Sequence, residues 1–271
     1  MYSLHKIFVC LSLFILPLTA SGSNPYCMIT GAEEAGMGSL SLYSKSFWSS
    51  FNNQALLAEK NSIVAAINYQ DRFCLSQLAT KSAGLIIPSG SGSAGLIFSH
   101  FGYKEFSRTM TGLACGLHLS EKISAGIQID YFSEKAPGEF QHHHSVTFET
   151  GFFIKIRENI FASLHMFNPL PDALRKRNMP STITTGAGIQ LNKDFFAALE
   201  TEMCSSERPV LKTGFTYELT DNLCLQGGFN TRNCSFSFGT GLTIKNIYLN
   251  MSISTHEKLG LSHFLSLVFK T

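Results

Sequence analysis

The chain has 271 residues, of which 44% are hydrophobic and 15% are charged, and its formal net charge is +2. This length suits one large domain, and no linker divides the sequence into two. Because positive and negative residues are interspersed, no basic stripe indicates nucleic acid as a partner and no acidic block indicates a solvating tail.

The chain begins with the features of a secretory signal peptide. Lys6 precedes the apolar stretch IFVCLSLFILPLTA, which ends in small residues. We therefore predict that residues 1–22 are a signal peptide. Cys10 lies inside the apolar stretch, and Cys27 lacks the Leu and small residues that precede a lipid-modified cysteine. A lipoprotein is therefore not expected.

Residues 23–61, the N-terminal segment, have no strand pattern. The segment is rich in Gly and Ser, shows short helical signals and contains Trp48, the only tryptophan of the chain. After it, no run approaches the 18 or so apolar residues of a membrane-spanning helix. If the protein crosses a membrane, strands must cross it.

From position 62 onward the sequence alternates with a period of two, the signal of strands with different surroundings on their two faces. In KISAGIQIDYF, for example, Ile127, Ile129 and Tyr131 alternate with Gln128 and Asp130. We count about fourteen such segments in residues 62–271, each about as long as a tilted strand that crosses a bilayer. They begin near Ser62, Leu78, Ala94, Thr109, Ile123, Val146, Ile160, Thr182, Phe195, Val210, Leu223, Cys234, Ile247 and Leu261.

The connections between these segments alternate in length. Short ones such as LSEK, REN, TDN and KN alternate with longer ones such as NYQDRFCLS and NPLPDALRKRNMPS. Outer-membrane barrels show this asymmetry, with the short turns on the periplasmic side. An open sheet edge in hydrocarbon would leave amide groups unpaired at several kcal/mol each. We therefore predict an all-β fold, a closed antiparallel transmembrane β-barrel in the bacterial outer membrane.

A barrel of about fourteen strands leaves a lumen that side chains alone do not fill. The N-terminal segment would lie at the periplasmic mouth, and we predict that it folds inward as a helical or irregular plug, or hatch. The alternative is an amphipathic helix that docks beneath the barrel. The plug residues would be Phe47, Trp48, Phe51, Leu56 and Leu57, in contact with apolar lumen residues, and Asn52, Asn53 and Gln54, hydrogen-bonded to the inner wall.

Two motifs in this segment resemble the N-terminal signature of the PorV/PorQ proteins, which are relatives of the FadL fatty-acid channel. They are GAEEAGMGSLSL at positions 31–42 and FWSSFNNQALLA at positions 47–58, although Leu56 replaces a usual glycine. The resemblance implies a fourteen-strand outer-membrane barrel with an N-terminal hatch. It also implies transport of hydrophobic compounds or an accessory role in type IX protein secretion. Secretion-system components and a hydrophobic small molecule are then the expected partners.

The longest predicted surface loop carries three basic residues, Arg175, Lys176 and Arg177. They could contact lipopolysaccharide, which with the other outer-membrane lipids would surround the barrel, or an acidic partner. The alternative is a solvated loop. This loop also supports a second hypothesis for the whole protein, a non-conducting barrel whose surface loops engage a partner.

Metal and catalytic sites are less well supported by the sequence. Three consecutive histidines at 142–144 lie near Glu149, but adjacent histidines in an extended chain point in alternating directions, so we predict no metal and no cofactor. No motif links a nucleophile to a base, so we predict a non-enzymatic protein; a lipid-modifying enzyme at the barrel rim is the less favoured alternative. Its candidate residues would be His100, His118, Ser163 and His165.

Two further pairs of residues have interpretations that the structure can test. Glu200 and Glu202 occupy one face of a predicted strand, and we interpret them as lumen charges. Cys224 and Cys234 flank a predicted hairpin, so they could form a disulfide or remain free thiols.

Overall fold

The computed structural model describes residues 26, 30–42, 45–136, 142–170, 179–205, 207–232 and 234–271. Within these ranges, fourteen strands pair in sequence order, and the first pairs with the last to close an antiparallel barrel. The strands are β1 (Val64–Asp71), β2 (Thr80–Ser89), β3 (Gly92–Gly102), β4 (Ser107–His118), β5 (Ile123–Lys135), β6 (His143–Arg157), β7 (Ile160–Phe167), β8 (Thr182–Gln190), β9 (Phe195–Cys204), β10 (Val210–Thr220), β11 (Leu223–Asn230), β12 (Ser235–Ile244), β13 (Ile247–His256) and β14 (Gly260–Lys270).

Helices are short in this structure. Two α-helices, α1 (Ala32–Gly36) and α2 (Ser49–Asn52), and one 3-10 helix, Gln54–Glu59, belong to the N-terminal segment. Two more 3-10 helices, Arg72–Cys74 and Ser76–Leu78, lie in the connection between β1 and β2. No helix of the described residues is long and apolar enough to cross a bilayer.

The predicted all-β, closed barrel of about fourteen strands is confirmed. Every strand begins within three residues of its predicted position, and seven begin at that position. The agreement follows from the period of two, which is a local property of the sequence and marks each strand independently of its partners.

The alternation within each strand separates an apolar outer face from a polar inner face. In β5, the outward Ile127, Ile129 and Tyr131 are 50%, 57% and 47% exposed, whereas the inward Gln128 and Asp130 are fully buried. A soluble barrel would place these residues the other way round. The outer face therefore meets hydrocarbon, and the polar residues lie inside the barrel.

Closure depends on the pairing of β1 with β14. The register runs from Val64 opposite Lys270 to Asp71 opposite His263. Beyond the last strand, the backbone N–H of Thr271 still donates to the Ile63 carbonyl at 3.0 Å. Because neither terminal strand keeps an open edge, no row of amide groups faces the lipid.

The two ends of the barrel differ as predicted. On one side, the turn side, the strands are joined by two to four residues, as at Gly90–Ser91 and 245–246. On the other side, the loop side, the connections reach fourteen residues, between β7 and β8. The chain enters β1 and leaves β14 on the turn side, so both termini of the barrel lie there.

Strands β11 and β12 form the predicted hairpin, but Cys224 lies opposite Gly241 in it, so Cys224 and Cys234 do not pair. Cys224 lies near the start of β11 and Cys234 follows its end, so the strand itself separates them by more than about 20 Å. A disulfide needs Cα atoms about 4 to 7 Å apart. Both are free thiols, which agrees with the alternative interpretation.

Two matched isoleucines allow a test of the lipid-facing surface. Ile129 lies at the middle of β5 and Ile244 at the turn-side end of β12, and they are 57% and 56% exposed. We expect Ile129→Lys to lower the free energy of unfolding by about 2 to 4 kcal/mol and Ile244→Lys by about 1 kcal/mol or less, because a charge costs most at the bilayer midplane. Denaturant titration of both variants in lipid vesicles measures the difference, and equal losses would contradict this placement.

Candidate functional site

The N-terminal segment makes contact with opposite walls of the barrel. Helix α1 contacts strands β11 to β14, and the 3-10 helix Gln54–Glu59 contacts strands β3 to β6. In the closed strand order these two groups are separated by β1 and β2 on one side and by β7 to β10 on the other. The chain between the two helices therefore passes through the barrel interior.

Glycines in the wall let the segment approach the strands closely. A side chain at Gly126 of β5 would overlap the backbone of Gln54, and one at Gly228 of β11 would overlap the backbone of Met37 and Gly38. At these inward positions only a residue without a Cβ leaves room for another backbone. Inward-facing glycines of the strands thus allow the backbone of the segment to pack directly against the barrel wall.

An aromatic cluster anchors the middle of the segment. The ring centroid of Phe47 lies 4.9 Å from that of Trp48 and 5.4 Å from that of Phe51. All three are at most 3% exposed and share one apolar cluster with Leu57 of the segment and Ile97 of β3. Burying a side chain of this size contributes about 1.5 to 3 kcal/mol. A second cluster joins Leu56 to Leu42, Ala55 and Phe153.

Polar contacts connect the same part of the segment to β6. The Nε2 of Gln54 donates to Glu149 Oε2 at 2.9 Å and to the Phe51 carbonyl at 3.0 Å. The Nε2 of His165 lies 2.9 Å from the same Glu149 oxygen. The Nδ2 of Asn53 donates to the Phe152 carbonyl at 3.3 Å. Glu149 is thus a shared partner of the segment and of the wall.

A buried carboxylate holds the two α-helices of the segment together. Glu34 of α1 is fully buried, and its Oε1 accepts hydrogen bonds from the hydroxyl of Ser49, at 2.9 Å, and from that of Ser46. Burial raises the pKa of Glu34 above its usual range, and the two serine hydroxyls act in the opposite direction. These hydroxyls compensate part of the cost of burying the carboxyl group.

Helix α1 is also bonded to the last strand. The backbone N–H of Ala32 donates to Ser266 Oγ at 2.8 Å, and that hydroxyl donates to Asn68 Oδ1 of β1 at 2.7 Å. Asn68 in turn donates through Nδ2 to the Thr30 carbonyl at 3.1 Å. The start of the segment is therefore bound at the seam where β1 meets β14.

A group of buried charges lies on β9, β10 and the end of β11. One carboxylate oxygen of Glu202 lies 2.6 Å from Lys212 Nζ, and the other forms an ion pair with the Arg232 guanidinium. Glu200 accepts from the backbone N–H of Ser41 at 2.8 Å and from its hydroxyl at 3.0 Å. Both glutamates face inward and are at most 7% exposed, which confirms their interpretation as lumen charges. Such buried charges persist only when they are paired.

Two cavities lie on either side of the segment. A cavity of about 380 Å³ on the loop side is lined by Glu34, Phe51 and Asn52 of the segment. A cavity of about 510 Å³ on the turn side is lined by Glu33, Phe47 and Lys60. Because different residues of the same segment line the two cavities, the segment lies between them.

The structure gives a location for each of the eight residues predicted to form the plug. Asn52 is half-buried and lines the loop-side cavity, and the other seven are buried. Their role in closing the channel stays a prediction. The predicted partner-contact residues Arg175, Lys176 and Arg177 lie outside the described residues.

Three of the histidines considered for metal binding or catalysis have separate partners. The Nδ1 of His144 lies 2.8 Å from the Tyr131 hydroxyl, and that of His118 lies 3.0 Å from Ser124 Oγ. His165 contacts Glu149, while Ser163 and His100 lie on β7 and β3. Among the described residues, no three His, Cys, Asp or Glu side chains come together as metal ligands.

Several residues of this site were not singled out from the sequence, among them Glu34, Arg72, Lys212 and Arg232. Glu34 carries no signal because its serine partners follow 12 and 15 residues later in an irregular segment. Arg72 lies in a connection between strands, yet it lines the loop-side cavity. A loop position alone predicts exposure to solvent, so its inward direction could be found only in the structure.

No protein-family model matches the sequence, and no curated protein matches it. Several solved structures have the same fold. The toluene transporter TbuX of Ralstonia pickettii gives a TM-score of 0.68 at 9% identity, over 89% of this chain and 97% of that one. A FadL homologue from Pseudomonas aeruginosa gives a TM-score of 0.67 at 12% identity, over 89% of this chain and 98% of that one. The toluene transporter TodX of Pseudomonas putida gives a TM-score of 0.67 at 10% identity, over 89% of this chain and 98% of that one. At these identities the likeness shows the fold alone, and the resemblance to the PorV/PorQ proteins stays a prediction.

Trp48 gives a direct test of where the segment lies. Because Trp48 is the only tryptophan and is 1% exposed, we expect its emission to be quenched weakly both by iodide in water and by brominated acyl chains in the bilayer. The matched control is Trp48→Phe combined with Phe238→Trp, which moves the indole to a lipid-facing position that is 68% exposed. Brominated lipid should quench the control strongly. Strong iodide quenching of Trp48 would favour a helix docked beneath the barrel.

Proposed function

We propose that the protein is a channel of the bacterial outer membrane that transports small molecules with an apolar part, and that the N-terminal segment is its removable plug. The observation that carries the proposal is the position of this segment between two lumen cavities. A segment bonded to both walls blocks passage while it stays seated. Transport then requires part of it to move aside.

The lining of the loop-side cavity supports a ligand with an apolar part. Phe51, Phe73, Met110 and Phe264 line this cavity together with polar residues. Ligand sites of this size combine apolar surface with a few placed polar groups. Solved structures with the same fold are described as toluene transporters and as a monoaromatic hydrocarbon channel, which agrees with an apolar ligand part.

The forces that hold the segment suit a plug that can move. The segment is held by separate polar contacts at Glu149, Ser266 and Glu200 and by a compact aromatic cluster. A neutral hydrogen bond contributes about 0.5 to 1.5 kcal/mol, and one to a charged group contributes about 1.5 to 3 kcal/mol. No disulfide joins the segment to the wall among the described residues, since those of the segment include no cysteine. Part of the segment can therefore be released without unfolding the barrel.

Deletion of residues 31–60 tests the plug directly. We expect the variant to show a large rise in single-channel conductance in planar bilayers, because the two cavities would merge into one continuous lumen. The full-length protein is the control, and a gel shift on boiling reports whether the variant has folded. A folded deletion variant that conducts no better than the full-length protein would contradict the plug and favour a non-conducting interaction barrel.

A full-length variant tests the same proposal if the deletion variant fails to fold. Ala32→Cys with Ser266→Cys, in a background without the native cysteines, can tether α1 to β14 where the two residues are hydrogen-bonded. We expect oxidation to stop the uptake of a labelled aromatic compound into vesicles, and dithiothreitol to restore it. Unchanged uptake by the oxidised variant would show that α1 does not need to leave its seat.

A further inference from the structure

The loop-side cavity contains an arginine without an acidic partner. Arg72 follows β1, is half-buried, and its guanidinium lies 5.9 Å from the centre of the Phe101 ring. Among the described residues, no carboxylate forms an ion pair with Arg72. Burial, together with the positive charge of Arg232, lowers the pKa of Arg72 to about 10.

Arg232 faces the same cavity with part of its hydrogen-bonding capacity unused. Its guanidinium is fixed on Glu202, which also binds Lys212. Its Nε is buried, and no acceptor within the described residues reaches it. An unpaired buried donor of a charged group is costly, so this N–H is directed at a ligand atom or another polar partner. Of the three basic groups Arg72, Arg232 and Lys212 that line the cavity, Arg232 and Lys212 are paired with Glu202.

The backbone around Arg72 is held in a conformation that few residues adopt. The next two residues, Phe73 and Cys74, have φ angles of +57° and +56°, at a cost of about 1 to 3 kcal/mol each for residues other than glycine. Ser262 compensates by accepting the Phe73 N–H at 3.2 Å, and the Phe73 ring packs edge-on against His256 at 5.3 Å. The turn fixes the position of Arg72 at the cavity.

The other acidic groups of the cavity already have partners. Glu149 is bonded to Gln54 and His165, and Glu34 to two serines of its own segment. The wall of the cavity also carries the neutral groups of Asn230, Ser235, Ser254, Thr255 and Ser262. Of these, Asn230 donates to the Gly38 carbonyl and Thr255 to the Phe236 carbonyl.

We propose that Arg72 and Arg232 bind the phosphate- or sulfate-type group of a small organic ligand in the loop-side cavity. Two guanidinium groups supply more donors than the two oxygens of one carboxylate accept, whereas a tetrahedral oxyanion presents three terminal oxygens. Phe73, Phe264 and Met110 in the same cavity would contact the organic part. This proposal deepens the proposed function by assigning the class of ligand.

Equilibrium binding to the purified full-length protein tests this assignment. Titration calorimetry would compare phenyl phosphate, inorganic phosphate, benzoate and benzyl alcohol as probes. We expect phenyl phosphate to bind more tightly than benzoate or benzyl alcohol. We expect Arg72→Gln to weaken phenyl phosphate at least tenfold, since one charge-assisted, bidentate contact is lost. The control Arg157→Gln removes the same charge from an exposed strand end, and it should leave affinity unchanged.

A second variant of Arg72 and the remaining probes test the geometry of the site and the source of the oxyanion. Arg72→Lys keeps the charge but loses the planar fork, so we expect a smaller loss than with Arg72→Gln. Inorganic phosphate that binds as tightly as phenyl phosphate, and with the same dependence on Arg72, would support the oxyanion site and identify free phosphate as its ligand.

Two results would overturn the proposal. One is benzyl alcohol or benzoate that binds as tightly as phenyl phosphate, and the other is an unchanged affinity in a folded Arg72→Gln variant. Because binding does not require passage, a failure here is distinct from a failure of the conductance test.

Discussion

The structure depends on one constraint: inside a bilayer, no water is present to bond a backbone amide or carbonyl. Every strand must therefore find two neighbours, and the pairing of β1 with β14 satisfies the requirement for the whole set. Closure has a second effect, because it turns polar side chains such as Gln128 and Asp130 away from the lipid into a shared interior. The polar lumen therefore follows from the requirement that every backbone amide and carbonyl group be hydrogen-bonded.

The interior that results is too wide for the strands' own side chains to fill, and the N-terminal segment contributes what is missing. Its aromatic cluster around Trp48 supplies apolar contact, and Gln54 supplies a hydrogen bond to Glu149. Glycines such as Gly126 leave space for the backbone of the segment. The wall and the segment are thus complementary in shape as well as in polarity, and the two cavities lie where that complementarity ends.

The strands could be predicted from the sequence because their signal is local. Outward Ile127 and Ile129 and inward Gln128 are distinguishable without knowledge of any partner, and neighbouring strands in this barrel are neighbours in sequence. Contacts across the lumen have no such signal. Arg72 and Arg232 are distant in sequence, and Glu34 finds Ser46 only when an irregular segment bends back. The same limit applies to Cys224 and Cys234, because the sequence does not mark the register that places Cys224 opposite Gly241.

The contacts of α1 have a consequence for folding. This helix precedes all fourteen strands in the chain, yet it rests on β11 to β14, the four strands farthest from it in sequence. Its binding site is complete only when these four strands are paired with one another. Docking of α1 therefore depends on a finished wall, which couples the position of the segment to the pairing of distant strands.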